Sequence, residues 1–247
     1  MDFLAASVLN NKNITIGIFD VKLGRKFYTG GIFVNIIEAI IARRSTRAFL
    51  SKPVEKDKLD AALAIAVRTP SWANTQPWEI FIVTGDSLER IKEGYRQKYA
   101  ENATAKPETP ILTEWPDTAA KRIQQLRPDM VKACGDSVEQ FATLNQNMFN
   151  APAVVYICMD KTLSEWSLYD IGAYSQSFML SALEHGLATI PAITLTLYPD
   201  ILRRELKIPD NLKITIGIAV GYEDKEHGIN KFVSARSPIA ETVRFFE

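Results

Sequence analysis

The run Ala153-Val-Val-Tyr-Ile-Cys-Met159 sets the tightest limit on the fold. It is far shorter than the roughly 20 apolar residues that cross a bilayer. Its unbroken apolarity instead fits a central strand buried on both faces. Glu79 to Thr84, closed by Gly85, reads as a second buried strand, and the β-branched Leu212 to Val220 as a third. Ala188 to Thr194 reads as strand and turn around Pro191. Elsewhere the apolar residues recur at helical spacing. Ile36, Ile37, Ile40 and Ile41 predict a helix with one apolar face that runs into Arg43, and Leu59, Ala62, Leu63, Ala66 and Val67 predict a second between Pro53 and Pro70. Further helices are expected over 87–99, from about 118 to 149, over 170–184 with Gly186 as C-cap, and over 199–206. The tail from 229 to 247 is too polar for a core helix. Buried strands interspersed with one-faced helices give an α+β class built in layers.

Composition narrows the function classes. Lys plus Arg and Asp plus Glu each number 29, so no net field favours nucleic acid or an anionic membrane. Cys134 and Cys158 are the only cysteines, which argues against a disulfide framework and predicts a cytoplasmic protein. Neither belongs to a CxxC pair, and with only His185 and His227 no metal-ligand cluster is expected. His185 reads as a helix-terminal residue and Cys158 as inert core. Residues 1–34 do not read as a signal peptide. They carry a strand-like Ile14 to Phe19 and then Gly30-Gly31, which GGAGGN codons can encode, ahead of a possible GTG start at Val34. Two readings stand equally: read-through of an upstream leader, with translation starting at residue 34, or a genuine arm on a domain spanning 35–247.

Two segments concentrate side chains able to do chemistry. Arg43, Arg44, Ser45, Thr46 and Arg47 bring three guanidiniums and two hydroxyls to a helix end. Guanidinium grips phosphate by paired hydrogen bonds, and Ser45 can add another. The plainer alternative is a solvated terminus complementing the helix dipole. In Pro70-Ser-Trp-Ala-Asn-Thr-Gln-Pro-Trp78, two prolines stiffen a loop that carries Ser71, Asn74 and Gln76 between Trp72 and Trp78. Such a loop can read the polar edge of a planar heterocycle. Its alternative is a turn that satisfies its own backbone.

The order of these segments is more specific than either alone. RRSxRxF, a helix, PSxxNxQPW and an apolar strand resemble the nitroreductase family. So do Asn147-Met-Phe-Asn-Ala-Pro-Ala-Val-Val155, Asp170-Ile-Gly-Ala-Tyr-Ser-Gln176, Gly186-Leu-Ala-Thr-Ile-Pro191, Leu206-Lys-Ile-Pro209 and Ile216-Gly-Ile-Ala-Val-Gly-Tyr222, each for its own segment. The resemblance runs from about Asn35 to the C-terminus. It implies a three-layer α/β/α fold around a mostly antiparallel sheet, an obligate homodimer with FMN at the subunit interface, and NAD(P)H as electron donor.

By that resemblance Arg43, Arg44 and Ser45 contact the phosphate and ribityl chain of FMN. Arg47 stands near the pyrimidine rim, where positive charge favours the reduced, anionic ring. Pro70, Ser71, Trp72, Asn74 and Gln76 belong to the loop that reaches the flavin from the other subunit. Pro191, Ala192 and Ile193 form the turn beneath the ring, and Arg236 closes on the phosphate. Ser234 departs from the lysine many relatives carry. No side chain is expected as nucleophile or metal ligand, and the absence of a GxGxxG after a strand agrees with one shared site in a ping-pong mechanism.

The implied function is transfer of reducing equivalents from NAD(P)H to nitroaromatic or other electron-poor small molecules. Alternatives on the same scaffold are a reductive dehalogenase, an ene-reductase, oxidative breakdown of the flavin itself, and a non-catalytic flavin store or redox sensor. Residues 101–117, with Pro107, Pro110 and Pro116, read as a long excursion or lid. Arg122, Arg127 and the following helix resemble the nitroaromatic or nitrobenzoate-reducing branch. Trp115 and Tyr99 read equally as lid residues and as packed anchors.

Overall fold

A computed structural model of the chain describes residues 36–247; both readings of residues 1–34 fall outside them. Four strands form one sheet in the order β1-β2-β4-β3, with β1 at Glu79–Thr84, β2 at Ala153–Asp160, β3 at Ala188–Ala192 and β4 at Leu212–Gly221. Every neighbouring pair is antiparallel. β2 and β4 take the centre because they are the most apolar, and seven consecutive residues of β2 are buried. Along β2 the side chains alternate between faces. Val154, Tyr156 and Cys158 join one core, and Ala153, Val155, Ile157 and Met159 join the other.

Helices cover both faces. α1 (Ile36–Ala42) precedes the arginine cluster. α2 (Lys56–Ala66) packs through Leu59, Ala62 and Ala66 into the second core. α3 (Gly85–Ala100) contributes Leu88, Ile91 and Tyr95 to the first. α4 (Asp117–Cys134) and α5 (Phe141–Gln146) follow, then α6 (Trp166–Glu184), α7 (Pro199–Leu206) and a final turn α8 (Ile239–Thr242). α6 lies in the second core through Ile171, Tyr174, Phe178 and Ala182. It ends where expected: Gly186 at φ 71 lets the Leu187 amide donate to the Ala182 carbonyl at 2.9 Å. No helix among the described residues is long and apolar enough to cross a membrane.

Three features go beyond what the sequence announces. The apolar face of α1 faces outward, with Ile36, Ile37, Ile40 and Ile41 55–77% exposed and only Ala39 buried. The stretch from 118 to 149 is helical as expected, in several pieces. Gly135 at φ 55 ends α4, and Met148, Phe149 and Asn150 all take left-handed backbone with φ 52–60. The start of the C-terminal tail is core: Ile229, Asn230 and Phe232 are buried, while Phe245 and Phe246 at its end are exposed.

The proline-rich excursion is pinned at its start. Lys106 donates its amide to the Leu197 carbonyl at 3.0 Å. The Arg203 guanidinium donates twice to Glu108 Oε1, at 3.0 and 2.7 Å, and the Ile214 amide donates to Oε2 at 2.7 Å. Tyr99 is an anchor, its ring edge-on to Tyr95 and Tyr198. Trp115 is 48% exposed. Replacing Glu108 with Gln turns an acceptor for charged and backbone donors into an amide that must face one of them. A loss of about 2 kcal/mol follows, read as a fall in Tm of roughly 4–8 °C for a domain of this size. An unchanged melting curve would refute the anchoring.

Cys158 is fully buried, and burial pushes its thiol up to about 12. It therefore stays neutral and unreactive at pH 8. Iodoacetamide at that pH, read by mass spectrometry, is expected to leave Cys158 unmodified until denaturant is added.

Candidate active site

The arginine segment leaves α1 and runs past the edge strand β3. Ser45 forms a parallel bridge to Thr189, and the Thr46 amide donates to the Thr189 carbonyl at 3.0 Å. This fixes the direction of each arginine. Arg44 pairs with Glu223 and donates to the Asn230 carbonyl. Arg47 folds back, donating to the Ser45 carbonyl at 2.9 Å, with its guanidinium carbon 5.0 Å from the centre of the Phe232 ring. Burial pulls its pKa below the usual guanidinium range. It nonetheless stays charged at any physiological pH.

Arg43 differs. Burial first, and the positive charge of Arg236 second, hold its pKa down. The chain thus brings together two like charges from positions far apart in sequence. Among the described residues neither forms an ion pair, and Arg236 donates only to Ser234 and Ala235. Two neighbouring guanidiniums without an ion-pair partner are suited to grip a phosphate. Ser234 accepts from Arg236 Nη1 at 2.7 Å and so orients the arginine.

A residue that sequence reasoning missed holds this corner together. Asn230 is buried, and its side chain uses both ends. Oδ1 accepts from the Arg47 amide at 2.7 Å and the Ala48 amide at 3.2 Å. Nδ2 donates to the carbonyls of Ala48 at 2.8 Å and Asp224 at 2.9 Å. No spacing or neighbouring motif marks it in the sequence; its role exists only once 47–48 and 224–230 meet.

Pro191 and Ala192 finish β3, and Ile193 opens a single 3-10 turn to Thr196. Ile193 is half exposed while Leu195 is fully buried beneath it. β3, which leads into this turn, borders the arginine segment where Ser45 bridges Thr189, so the turn and the arginine cluster share one edge of the sheet.

The loop 70–78 does not gather there. Its backbone is largely self-satisfied: Asn74 donates to the Ser71 carbonyl at 3.0 Å and the Gln76 amide to Ser71 Oγ at 2.9 Å. Ala73, Asn74 and Gln76 adopt left-handed backbone at φ 46, 57 and 46. The loop is tied to α6 where the Trp72 amide donates to Asp170 Oδ2 at 3.1 Å. Its Trp72 side chain is 74% exposed. Arg43, in contrast, lines a small cavity with Met179 and Leu183, at the other end of α6. From Asp170 to Leu183 the helix advances about 20 Å at 1.5 Å per residue. Within one chain the expected site residues therefore form two groups: Arg43, Arg44, Ser45, Arg47, Pro191, Ala192, Ile193 and Arg236 in one, and Pro70, Ser71, Trp72, Asn74 and Gln76 in the other.

A cavity of about 460 Å³ contains none of these residues; Phe49, Lys92, Asn147, Asn150 and Asp224 are among those that line it. Among the described residues no cluster of His, Cys, Asp and Glu could hold a metal.

The model of the Nitroreductase family matches residues 40–222. Chloronitrobenzene nitroreductase of Comamonas testosteroni is 29% identical over 218 residues, covering 85% of this chain and 96% of the relative. 4-Nitrobenzoate reductase of Pseudomonas putida is 27% identical, covering 78% of this chain and 88% of the relative. Among solved structures, the FMN-dependent nitroreductase NfnB from Mycobacterium smegmatis in complex with NADPH superposes with a TM-score of 0.79 at 28% identity, covering 85% of this chain and 97% of that one.

Proposed function

Because the chain belongs to the Nitroreductase family, we propose that it is a homodimeric, cytoplasmic FMN enzyme that passes reducing equivalents from NAD(P)H to nitroaromatic or other electron-poor small molecules. Residues 35–247 form its FMN-binding domain. The observation that carries this reading is the arginine segment held against β3 at Thr189, where Arg43 feels the charge of Arg236 and neither of the two forms an ion pair among the described residues. A bound phosphate relieves their repulsion and accepts hydrogen bonds from both.

The split of the site into two groups about 20 Å apart supports the dimer. A two-fold axis brings the loop of one subunit to the arginine cluster of the other. The exposed apolar side chains of α1, with Trp72, Ile193, Phe245 and Phe246, give such an interface its area.

Bound FMN supplies the redox chemistry, taking reducing equivalents from NAD(P)H and giving them to substrate in alternate half-reactions. The chain's residues do the rest. Arg43, Arg236 and Ser45 hold the phosphate and ribityl chain, and Arg44, neutralised by Glu223, braces them. Arg47 offers fixed positive charge at the pyrimidine end. The turn at Pro191, Ala192 and Ile193 offers backbone groups to the reactive edge. Ser71, Trp72, Asn74 and Gln76, stiffened by Pro70, close the site from the second subunit and limit access of water.

The test is an anaerobic titration of the purified protein, followed in the visible spectrum. A flavin band bleached by NADPH or NADH and restored by a nitroaromatic supports the enzyme. A bound flavin that neither nicotinamide reduces would favour the store or sensor, and restoration by an activated alkene or a halogenated compound alone would favour ene reduction or dehalogenation. Failure to bind FMN would remove the proposal.

A further inference from the structure

The turn from Ile193 to Thr196 is fastened with unusual economy. Beneath it lies Gly217 of β4, where an added Cβ would stand 2.6 Å from Leu195 Cβ and 3.2 Å from Tyr156 Cε1. Glycine there lets the turn lie flat on the sheet with Leu195 fully buried. From α3, Tyr95 Oη donates to the Leu195 carbonyl at 2.7 Å and lies 3.5 Å from the Tyr198 amide, a long contact. The Tyr95 ring is itself wedged edge-on against Tyr198, with centroids 5.0 Å apart. The turn adds one bond of its own, Thr196 Oγ1 to the Ile193 carbonyl at 2.8 Å, and Thr194 bonds to Asn145 of α5. Nearby, the buried Tyr156 hydroxyl has no protein partner. Tyr95 is therefore the tie between the buried side of this turn and the helix behind it, and the exposed side begins at Ile193.

Resting on the FMN reading above, we propose that Tyr95 is a positioning residue for the cofactor: its hydrogen bond to Leu195, over the flat seat made by Gly217, sets the height and tilt of the 191–196 turn against the flavin. Burial, and then Tyr156 nearby, push the Tyr95 phenol well up, so it remains protonated and keeps donating across the working pH range. The chain spends a fully buried tyrosine here because a backbone group can act on a flavin edge only if its position is fixed to a few tenths of an ångström.

The experiment compares full-length wild-type holoenzyme with Tyr95→Phe, which removes one hydroxyl and keeps the ring packing, and with Gly217→Ala, which lifts the turn by steric contact. For Tyr95→Phe we expect retained dimer and retained FMN, faster amide hydrogen exchange confined to 191–196, a shifted flavin midpoint potential and about tenfold slower flavin reduction with little change in nicotinamide KM. The tenfold figure is the size of one buried hydrogen bond. Gly217→Ala must move the same potential and exchange readouts. A purely structural role would lower Tm and leave the potential unchanged, and that result in both variants overturns the positioning role while leaving FMN binding intact. Absence of FMN from the wild-type protein would instead overturn the reading on which it rests.

Discussion

Replacing Arg43 with alanine weakens FMN binding about 10- to 100-fold, and replacing Arg236 does the same. Each removes a charge-assisted hydrogen bond worth about 1.5–3 kcal/mol, and 1.4 kcal/mol is a factor of ten. The sign of the stability change separates this from damage to the fold. In the FMN-free protein the two guanidiniums repel, and burial and Arg236 together hold the Arg43 pKa down. Removing either one relieves the other, so the apoprotein melts no lower, and somewhat higher, than wild type. Arg44→Ala behaves oppositely, because it strands Glu223 and the Asn230 carbonyl. Flavin fluorescence titration with apoprotein melting curves checks all three variants. A fall in apoprotein Tm for Arg43→Ala or Arg236→Ala would mean that these arginines hold the fold rather than an anion.

Asn230→Ala should be the most damaging single change outside the central strands. It leaves the amides of Arg47 and Ala48 and the carbonyls of Ala48 and Asp224 without their partner at a buried position. Each stranded buried group costs about 1–3 kcal/mol, although relaxation and water limit the sum. A loss of about 3–5 kcal/mol is expected, at the upper end for one substitution. For a domain of this size that lowers Tm by roughly 6–20 °C. Asn230→Asp is not a rescue: it keeps the acceptor, loses both donors and adds a charge in a buried corner. Thermal melts of both variants, with FMN titration of whatever remains folded, test this. An Asn230→Ala protein within 2 °C or so of wild type would refute the clamp, since even one stranded group costs about 1 kcal/mol.

What the sequence makes legible follows from which forces are local. Strands β1, β2 and β4 are readable because an apolar run of six to ten residues has few other solutions, and the end of α6 because only Gly186 takes φ 71 cheaply there. The arginine segment and the loop 70–78 are readable as chemistry through residue type and order. That they form two groups in one chain is not, because separation depends on how α6 lies between them. The outward face of α1 has the same cause: helical spacing announces an apolar stripe and says nothing about which molecule covers it. Asn230 is invisible because one asparagine in a polar tail carries no pattern. The interruption after Cys134 is hidden because Gly135 looks like any tolerated helix glycine until its φ of 55 is known.

The strand β3 ends the sheet, and a terminal strand offers a row of bare amides and carbonyls on which a foreign strand can dock. Here that row is only five residues long, and Ser45 and Thr46 lie against it at Thr189. The arginine-bearing segment thus covers part of one of the sheet's two edges, the other being β1, and shortens the border on which another copy could dock. The segment therefore bears on solubility as well as on the site, and a variant that loosens it is expected to show itself first as precipitate.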